Sequence, residues 1–218
     1  MTLLQFILLF SCAFTAYLLG SIPTSIWYGL AYYGKDVRQF GSGNAGATNT
    51  FRVLGKKAGS VVMLIDVLKG WTATCLVIIP MYLGTIDQSE SVSYKLLFGF
   101  LAVIGHIFPI FESFKGGKGV ATILGMVLAL HPIAAALCIA VFFSILITFK
   151  YVSLGSLVGT LVFPLSFLLN IYQHEDEQTL LIIFGFIMFA IVVWAHHNNI
   201  KRLLNGQESR TYLFGKKK

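Results

Sequence analysis

Seven long apolar runs, parted by short polar segments, limit what this chain can fold into. They lie at approximately 3–31, 59–83, 94–111, 119–131, 132–149, 152–171 and 179–197. A helix of about 20 apolar residues crosses the roughly 30 Å of hydrocarbon in a bilayer, and most of these runs approach that length. Only 11% of the residues are charged, against about 25% in an ordinary soluble domain. The pattern predicts an all-α integral membrane protein with seven transmembrane helices, arranged as a single membrane domain over residues 1–218. The fourth run is short for a crossing unless it is tilted or packed against neighbours.

Local signals refine these runs. The first has no basic residue ahead of it and no small-x-small cleavage site, so it reads as a first membrane helix and not as a removed signal peptide. Pro23, in the segment GSIPTS at 20–25, predicts a kink inside that helix, with Ser21, Thr24 or Ser25 available to the freed backbone groups. His131 and Pro132 mark the break after the fourth run, because proline disfavours helix in the residue before it. Cys12, Cys75 and Cys138 lie inside apolar runs and read as small packing residues, and no metal site is expected. Gly155 and Gly159 form a GxxxG that reads as close helix packing.

Loop charge orients the bundle. With seven helices and the N-terminus outside, the segments 32–58 and 112–118, Lys150 and the tail from about 198 share one face. That face holds all of the 16 lysines and arginines except Lys69, inside a helix, and Lys95. The other face carries Asp87, Glu90, Glu175, Asp176 and Glu177. Cytoplasmic loops carry the excess of Lys and Arg, so the N-terminus is predicted outside and the C-terminus in the cytoplasm. The net charge of +7 comes from these loops and the Lys216–Lys218 tail, which can meet anionic lipid; no nucleic-acid partner is implied.

Three polar stretches fall on that basic face. The first, GSGNAGATNTFR at 41–52, combines Gly41, Gly43 and Gly46 with Ser42, Asn44, Thr48, Asn49 and Arg52. Turn amides, short side chains and one guanidinium suit a phosphate, although the same residues also build ordinary solvated turns. The second, GHIFPIFESFKGGKGVAT at 105–122, sets Lys115, Gly116, Gly117, Lys118 and Gly119 at the start of a helix. Amides at a helix N-terminus attract anions; basic residues anchoring a helix at the membrane surface are the plainer reading. Lys118 is followed by glycine and not Ser or Thr, so this is not a Walker A loop and no nucleotide cofactor is implied. The third, HHNNIKRLLNGQE at 196–208, clusters His196, His197, Asn198 and Asn199 at a membrane boundary, either to orient or deprotonate a substrate hydroxyl or as polar helix-end residues.

Asp66 and Lys69 stand three residues apart inside the second run and so share a helical face. Ionisable groups at membrane depth are costly and often functional, while a self-neutralising pair that fixes packing is the structural alternative.

Together, GSGNAGATNTFR, GHIFPIFESFKGGKGVAT and the His196-x-x-Asn199-Ile200 tail resemble the bacterial membrane glycerol-3-phosphate acyltransferases that use acyl phosphate, the PlsY family. The resemblance covers most of the chain, and the combination of motifs is specific. It implies transfer of a fatty acyl group from acyl phosphate to the 1-hydroxyl of sn-glycerol 3-phosphate, giving lysophosphatidic acid in the first acylation step of phospholipid synthesis. It also implies a place in the bacterial cytoplasmic (inner) membrane and a functional link to the enzyme that supplies acyl phosphate. By this resemblance Ser42, Arg52, Lys118, His196 and Asn199 line the glycerol 3-phosphate and catalytic pocket, with Gly41, Asn44, Thr48, Asn49, His106 and Lys115 among the substrate-binding residues. The backbone around Gly116, Gly117 and Gly119 holds the acyl-phosphate head, the acyl chain lies in a groove open to membrane lipid, and Asp66, Lys69 and Glu208 are further candidates. Position 197 is His where the family pattern has Arg.

Acyltransferases that use acyl-CoA or acyl-carrier protein depend on a His-x4-Asp pair, and no histidine here has Asp five positions later. Acyl phosphate is a mixed anhydride with a good leaving group, so direct attack by the hydroxyl is expected, without an acyl-enzyme. A transporter of a phosphorylated small molecule is the alternative, since broken helices with positive N-termini also cradle anions in transporters. Clustering of the motifs on one face, and the lack of an inverted repeat, weigh against it. A membrane adaptor without chemistry is a third reading.

Overall fold

The computed structural model describes residues 2–172 and 177–212, and among them the regular structure is entirely helical. Five helical stretches are long and apolar enough to cross a membrane: Leu3–Ser21, Lys56–Tyr82, Gln88–Glu112, Pro132–Phe149 and Gln178–Ala195. Val120–Leu130 and Val152–Leu168 are apolar but shorter. Glu175, Asp176 and Lys216–Lys218, which entered the charge reading, lie outside the described residues. The chain divides into two compact units, Met1–Leu130 and His131–Lys218.

The first unit contains α1 (Leu3–Ser21), α2 (Thr24–Tyr33), α3 (Ala47–Leu54), α4 (Lys56–Cys75), α5 (Ile78–Tyr82), α6 (Ser91–Ile107) and α7 (Val120–Leu130). Its main pairings are α1 with α6 and α4 with α7. Both depend on glycine at the crossing. A Cβ on Gly105 would lie 2.3 Å from the Tyr17 carbonyl oxygen, and one on Gly125 would lie 1.9 Å from that of Val67. Lipid tails are as apolar as side chains, so helices in a membrane gain by close backbone approach instead of by hydrophobic burial. Cys12, Ala16, Ala73, Phe98 and Ala102 fill the core of this unit.

Two local expectations change. Pro23 does not kink one long helix; it separates α1 from α2. The Ile22 carbonyl, which would have served a continuing helix, accepts instead from the Thr24 amide at 3.0 Å and from Lys69 Nζ at 3.0 Å. Likewise the polar stretch 41–52 is a turn only as far as Gly46, where α3 begins. Thr48, Asn49 and Arg52 are therefore held on a helix.

The second unit contains α8 (Pro132–Phe149), α9 (Val152–Leu168), α10 (Gln178–Ala195) and α11 (His197–Leu204). Gly155 and Gly159 of α9 face Phe142 of α8, while Gly185 of α10 lies against Pro164 of α9. His131 caps α8 by accepting the Ala134 amide at Nδ1, 3.0 Å away. The polar tail after the last apolar run is helical: α10 ends at Ala195, and α11 restarts beyond His196.

Candidate functional site

In the first motif the backbone turns through left-handed glycines, Gly41 at φ +63° and Gly43 at φ +70°, a region that side chains disfavour. Asn49 holds this turn from beneath. Its Oδ1 accepts the Ser42 amide at 2.9 Å, and its Nδ2 donates to the carbonyls of Val37 at 2.8 Å and Phe40 at 3.1 Å. It is 1% exposed, so Asn49 shapes the loop from inside. Ser42 and Arg52 are exposed, and Asn44 and Thr48 are half-buried. Below the turn, Arg38 bonds Asp36 at 2.8 Å and Glu112 at 2.9 Å, tying the segment before the first motif to the second. The hydrogen bond from Arg38 holds the Asp36 carboxyl below the usual carboxylate range.

The second motif closes the end of α6. Gly116 donates its amide to the Ile107 carbonyl and Gly117 to that of His106, each at 3.1 Å. A Cβ on Gly117 would lie 2.2 Å from His106 Nε2 and 2.8 Å from the Ala45 carbonyl oxygen. The two motifs therefore meet at Ala45 and Gly117. With two amides engaged on α6, the loop continues through the half-buried Lys118 and the left-handed Gly119 at φ +82° into the first turn of α7. The amides of Val120, Ala121 and Thr122 precede the first bond of that helix, Ile123 to Gly119 at 2.8 Å. Lys115 is exposed.

Beneath this loop lies a buried polar group. Asp66 and Lys69 pair at 2.9 Å with side chains only 3% and 4% exposed. Thr24 Oγ1 donates to Asp66 Oδ1 at 3.1 Å. His106 Nδ1 stands 3.1 Å from Thr122 Oγ1 and 3.7 Å from Asp66 Oδ1.

The third motif is built around Glu208. Its Oε1 accepts from Asn199 Nδ2 at 2.6 Å and from Ser153 Oγ at 2.9 Å, and its Oε2 accepts from Arg202 Nε at 2.7 Å. Burial alone would raise this carboxyl's pKa, but the three donors outweigh it and hold the pKa below the ordinary value of 4.5. His196, 3% exposed, places Nδ1 2.8 Å from the Val192 carbonyl. A carbonyl only accepts, so Nδ1 carries the proton, and Nε2 is the basic nitrogen of the neutral ring. His196 and Asn199 are one helical turn apart at the start of α11.

Residues 10–206 match the family described as glycerol-3-phosphate acyltransferase. This chain belongs to the glycerol-3-phosphate acyltransferase family. A glycerol-3-phosphate acyltransferase from Chlorobaculum parvum is 41% identical over 89% of this chain and 93% of its own length. One from Listeria monocytogenes is 42% identical over 89% and 92%. Among solved structures, PlsY (YgiH), an integral membrane glycerol 3-phosphate acyltransferase, is similar in two forms. Its glycerol 3-phosphate form has a TM-score of 0.77 at 35% identity, covering 95% of this chain and 96% of that one. Its lysophosphatidic acid form has a TM-score of 0.74 at 34% identity, covering 95% of each.

The acyltransferase chain contains supporting residues that the motifs did not single out for the site. Ser153 and Arg202 join Glu208, Thr24 and Thr122 join Asp66 and His106, and Arg38 joins Glu112. Ser153 and Glu208 are 55 positions apart, and Arg38 and Glu112 are 74 apart, so spacing carries no trace of either contact. Proximity to a motif was the available signal for Arg202 and Thr122, which lie inside the third and second stretches.

Proposed function

We propose that this multi-pass membrane protein is an acyl-phosphate-dependent glycerol-3-phosphate 1-O-acyltransferase. The observation that carries the reading is family membership over residues 10–206, a match that takes in the first two polar motifs whole and the third as far as Gly206. Glycerol 3-phosphate and lysophosphatidic acid, the compounds named for the two forms of PlsY, are the acceptor and product of this reaction. The donor is acyl phosphate: the chain lacks the His-x4-Asp pair, and its second motif supplies a lysine and helix-start amides suited to a phosphate head. A second enzyme must supply this reactive donor.

Arg52 and Ser42 bind the phosphate of glycerol 3-phosphate, Arg52 by a bidentate fork. Gly41, Asn44, Thr48 and Asn49 keep the loop in shape around them. Lys118, Gly119 and the start of α7 hold the acyl-phosphate head, with Lys115 adding positive charge. The glycerol 1-hydroxyl attacks the acyl carbonyl carbon, the new ester C–O bond forms, and the C–O bond to phosphate breaks to release inorganic phosphate. The hydroxyl proton passes to His196 Nε2 or to the departing phosphate. Asn199, held by Glu208, orients the hydroxyl, and positive charge and amides stabilise the developing oxyanion. No acyl-enzyme forms.

The same reading places the chain in the bacterial inner membrane as one domain with seven crossings, the N-terminus outside and the C-terminus cytoplasmic. Mass spectrometry after incubating purified protein with acyl phosphate and glycerol 3-phosphate tests the activity. Lysophosphatidic acid is expected from acyl phosphate and not from acyl-CoA. Movement of glycerol 3-phosphate into vesicles with no lipid formed would instead establish a transporter.

A further inference from the structure

We propose that the buried Asp66–Lys69–His106 group positions the 115–119 glycine loop for the phosphate-bearing donor, with His106 transmitting the position of α4 to the loop. This rests on the acyl-transfer reading for its kinetic consequence, while the mechanical coupling stands on geometry alone.

Three ionisable side chains are buried together in an apolar chain, at 2% exposure for Asp66, 6% for Lys69 and 7% for His106. Such groups are costly at membrane depth, and a lone packing pair has no need of a histidine. The group gathers four elements at one point. Lys69 reaches from α4 to the Ile22 carbonyl at the α1–α2 break, Thr24 of α2 donates to Asp66, and His106 of α6 meets both Asp66 and Thr122 of α7.

His106 then contacts the loop twice. Its carbonyl accepts the Gly117 amide, and its Nε2 edge lies so close under Gly117 that a Cβ there would be 2.2 Å away. The opposite edge, Nδ1, faces Thr122 and Asp66. A rigid ring with both edges occupied passes a displacement of the ion pair straight to Gly117. The loop needs such support, because Ser113 and Phe114 are consecutive left-handed residues that are not glycine, at φ 51° and 60°. Backbone of that kind persists where its surroundings over-determine it. A recess with room for about one water is lined by Thr24, Asp66, Lys69, His106, Ala45 and Gly117, so the loop stands directly over the ion pair.

The test compares His106→Ala, His106→Gln and the charge-neutral pair Asp66→Asn/Lys69→Met with Thr74→Ala. Thr74 is a buried residue of α4 whose hydroxyl, among the described residues, bonds within its own helix turn to the Gly70 carbonyl. Hydrogen exchange of the peptide covering 113–120 reads the loop directly in purified full-length protein. His106→Ala and the neutral pair are expected to speed that exchange, Thr74→Ala to leave it unchanged, and His106→Gln, whose amide reaches the place of Nε2, to recover much of the protection. In kinetics, His106→Ala should raise KM for acyl phosphate by about tenfold or more while KM for glycerol 3-phosphate stays near its original value. Loop exchange no faster than in Thr74→Ala, or a lowered Tm with both KM values unchanged, would overturn the proposal in favour of plain packing. If the unaltered protein forms no lysophosphatidic acid, the acyl-transfer reading fails, and the exchange comparison still decides the coupling.

Discussion

Asn199 donates a 2.6 Å hydrogen bond to Glu208, a carboxylate that is buried with Asn199 and Ser153 and also accepts from Ser153 and from the more exposed Arg202. Nine residues separate the pair, and the turn after α11 folds back to join them. The amide of Asn199 is thereby fixed in direction, which a glutamine at 208 would achieve less well. Glu208→Gln keeps the shape but loses the charge that strengthens all three bonds. Hydrogen bonds to a charged group contribute about 1.5–3 kcal/mol, so kcat should fall by about 10- to 100-fold while the helical circular dichroism is retained. Unaltered kcat would show that the Glu208 charge has no part in the reaction.

The same carboxylate makes stability depend on pH. Its folded pKa lies below the ordinary 4.5, so the unfolded chain takes up this proton first as the solution is acidified. The stabilisation is fully present above about pH 4.5 and is lost as pH falls from there through the lower folded value. Thermal unfolding in detergent between pH 7 and pH 3 should show a smaller acid-side loss for Glu208→Gln than for the unaltered protein. Superimposable profiles would show that Glu208 does not carry this linkage.

Arg52→Lys keeps the positive charge and removes the planar fork. If the guanidinium holds the phosphate of glycerol 3-phosphate through two bonds, KM for that substrate should rise by about tenfold, with little change in Tm because Arg52 is exposed. Steady-state kinetics at saturating acyl phosphate would check this, and an unchanged KM would remove the assigned role.

Asp66 and Lys69 should show coupled stability. Removing either partner leaves an uncompensated buried charge, at a cost of about 3–5 kcal/mol, whereas Asp66→Asn/Lys69→Met removes both charges. The double variant should lose much less than the sum of the two singles in a thermal-stability cycle; additive losses would mean that the 2.9 Å pair contributes no interaction energy.

Gly125→Ala tests the α4–α7 crossing. The added Cβ would meet the Val67 carbonyl oxygen at 1.9 Å, a backbone atom that cannot turn aside, so the helices must separate. Overpacking of this kind costs about 1–3 kcal/mol and should lower Tm by several degrees. Gly159→Ala, whose nearest neighbour would be 3.3 Å away, should lower it far less.

Much of the fold could be read along the chain because hydropathy is a local property. Each of the seven apolar runs overlaps one of the long or shorter apolar helices, although α4, α6 and α10 begin one to three residues before their runs, and the break at His131–Pro132 is where α8 begins. Errors arose where a distant partner decided the outcome. Pro23 alone indicates a kink, but Lys69 of α4 takes the Ile22 carbonyl and lets the helix separate into two. The helices α3 and α11 are short and amphipathic, with eight residues each, so no apolar run announces them.

The candidate site divides in the same way. Residue chemistry brought forward the three polar stretches, because glycines, short hydroxyls, amides and basic groups suit a phosphate-bearing substrate, and the family resemblance picked out Ser42, Arg52, Lys118, His196 and Asn199 within them. Spacing also placed Asp66 and Lys69 on one helical face, since three residues make nearly a full turn. Which of these groups face outward and which support from within depended on long-range contacts. Asn49 turned inward to hold the first loop, Gly116 and Gly117 gave their amides to α6, and His106 went beneath the loop beside Asp66. Sequence specified the helices, the charge pattern and the polar motifs because these follow from residue type and spacing. Tertiary structure decided the partners because a hydrogen bond is directional and acts over a few ångströms, and chain separations of 40 to 90 residues carry no record of which groups will meet at that range.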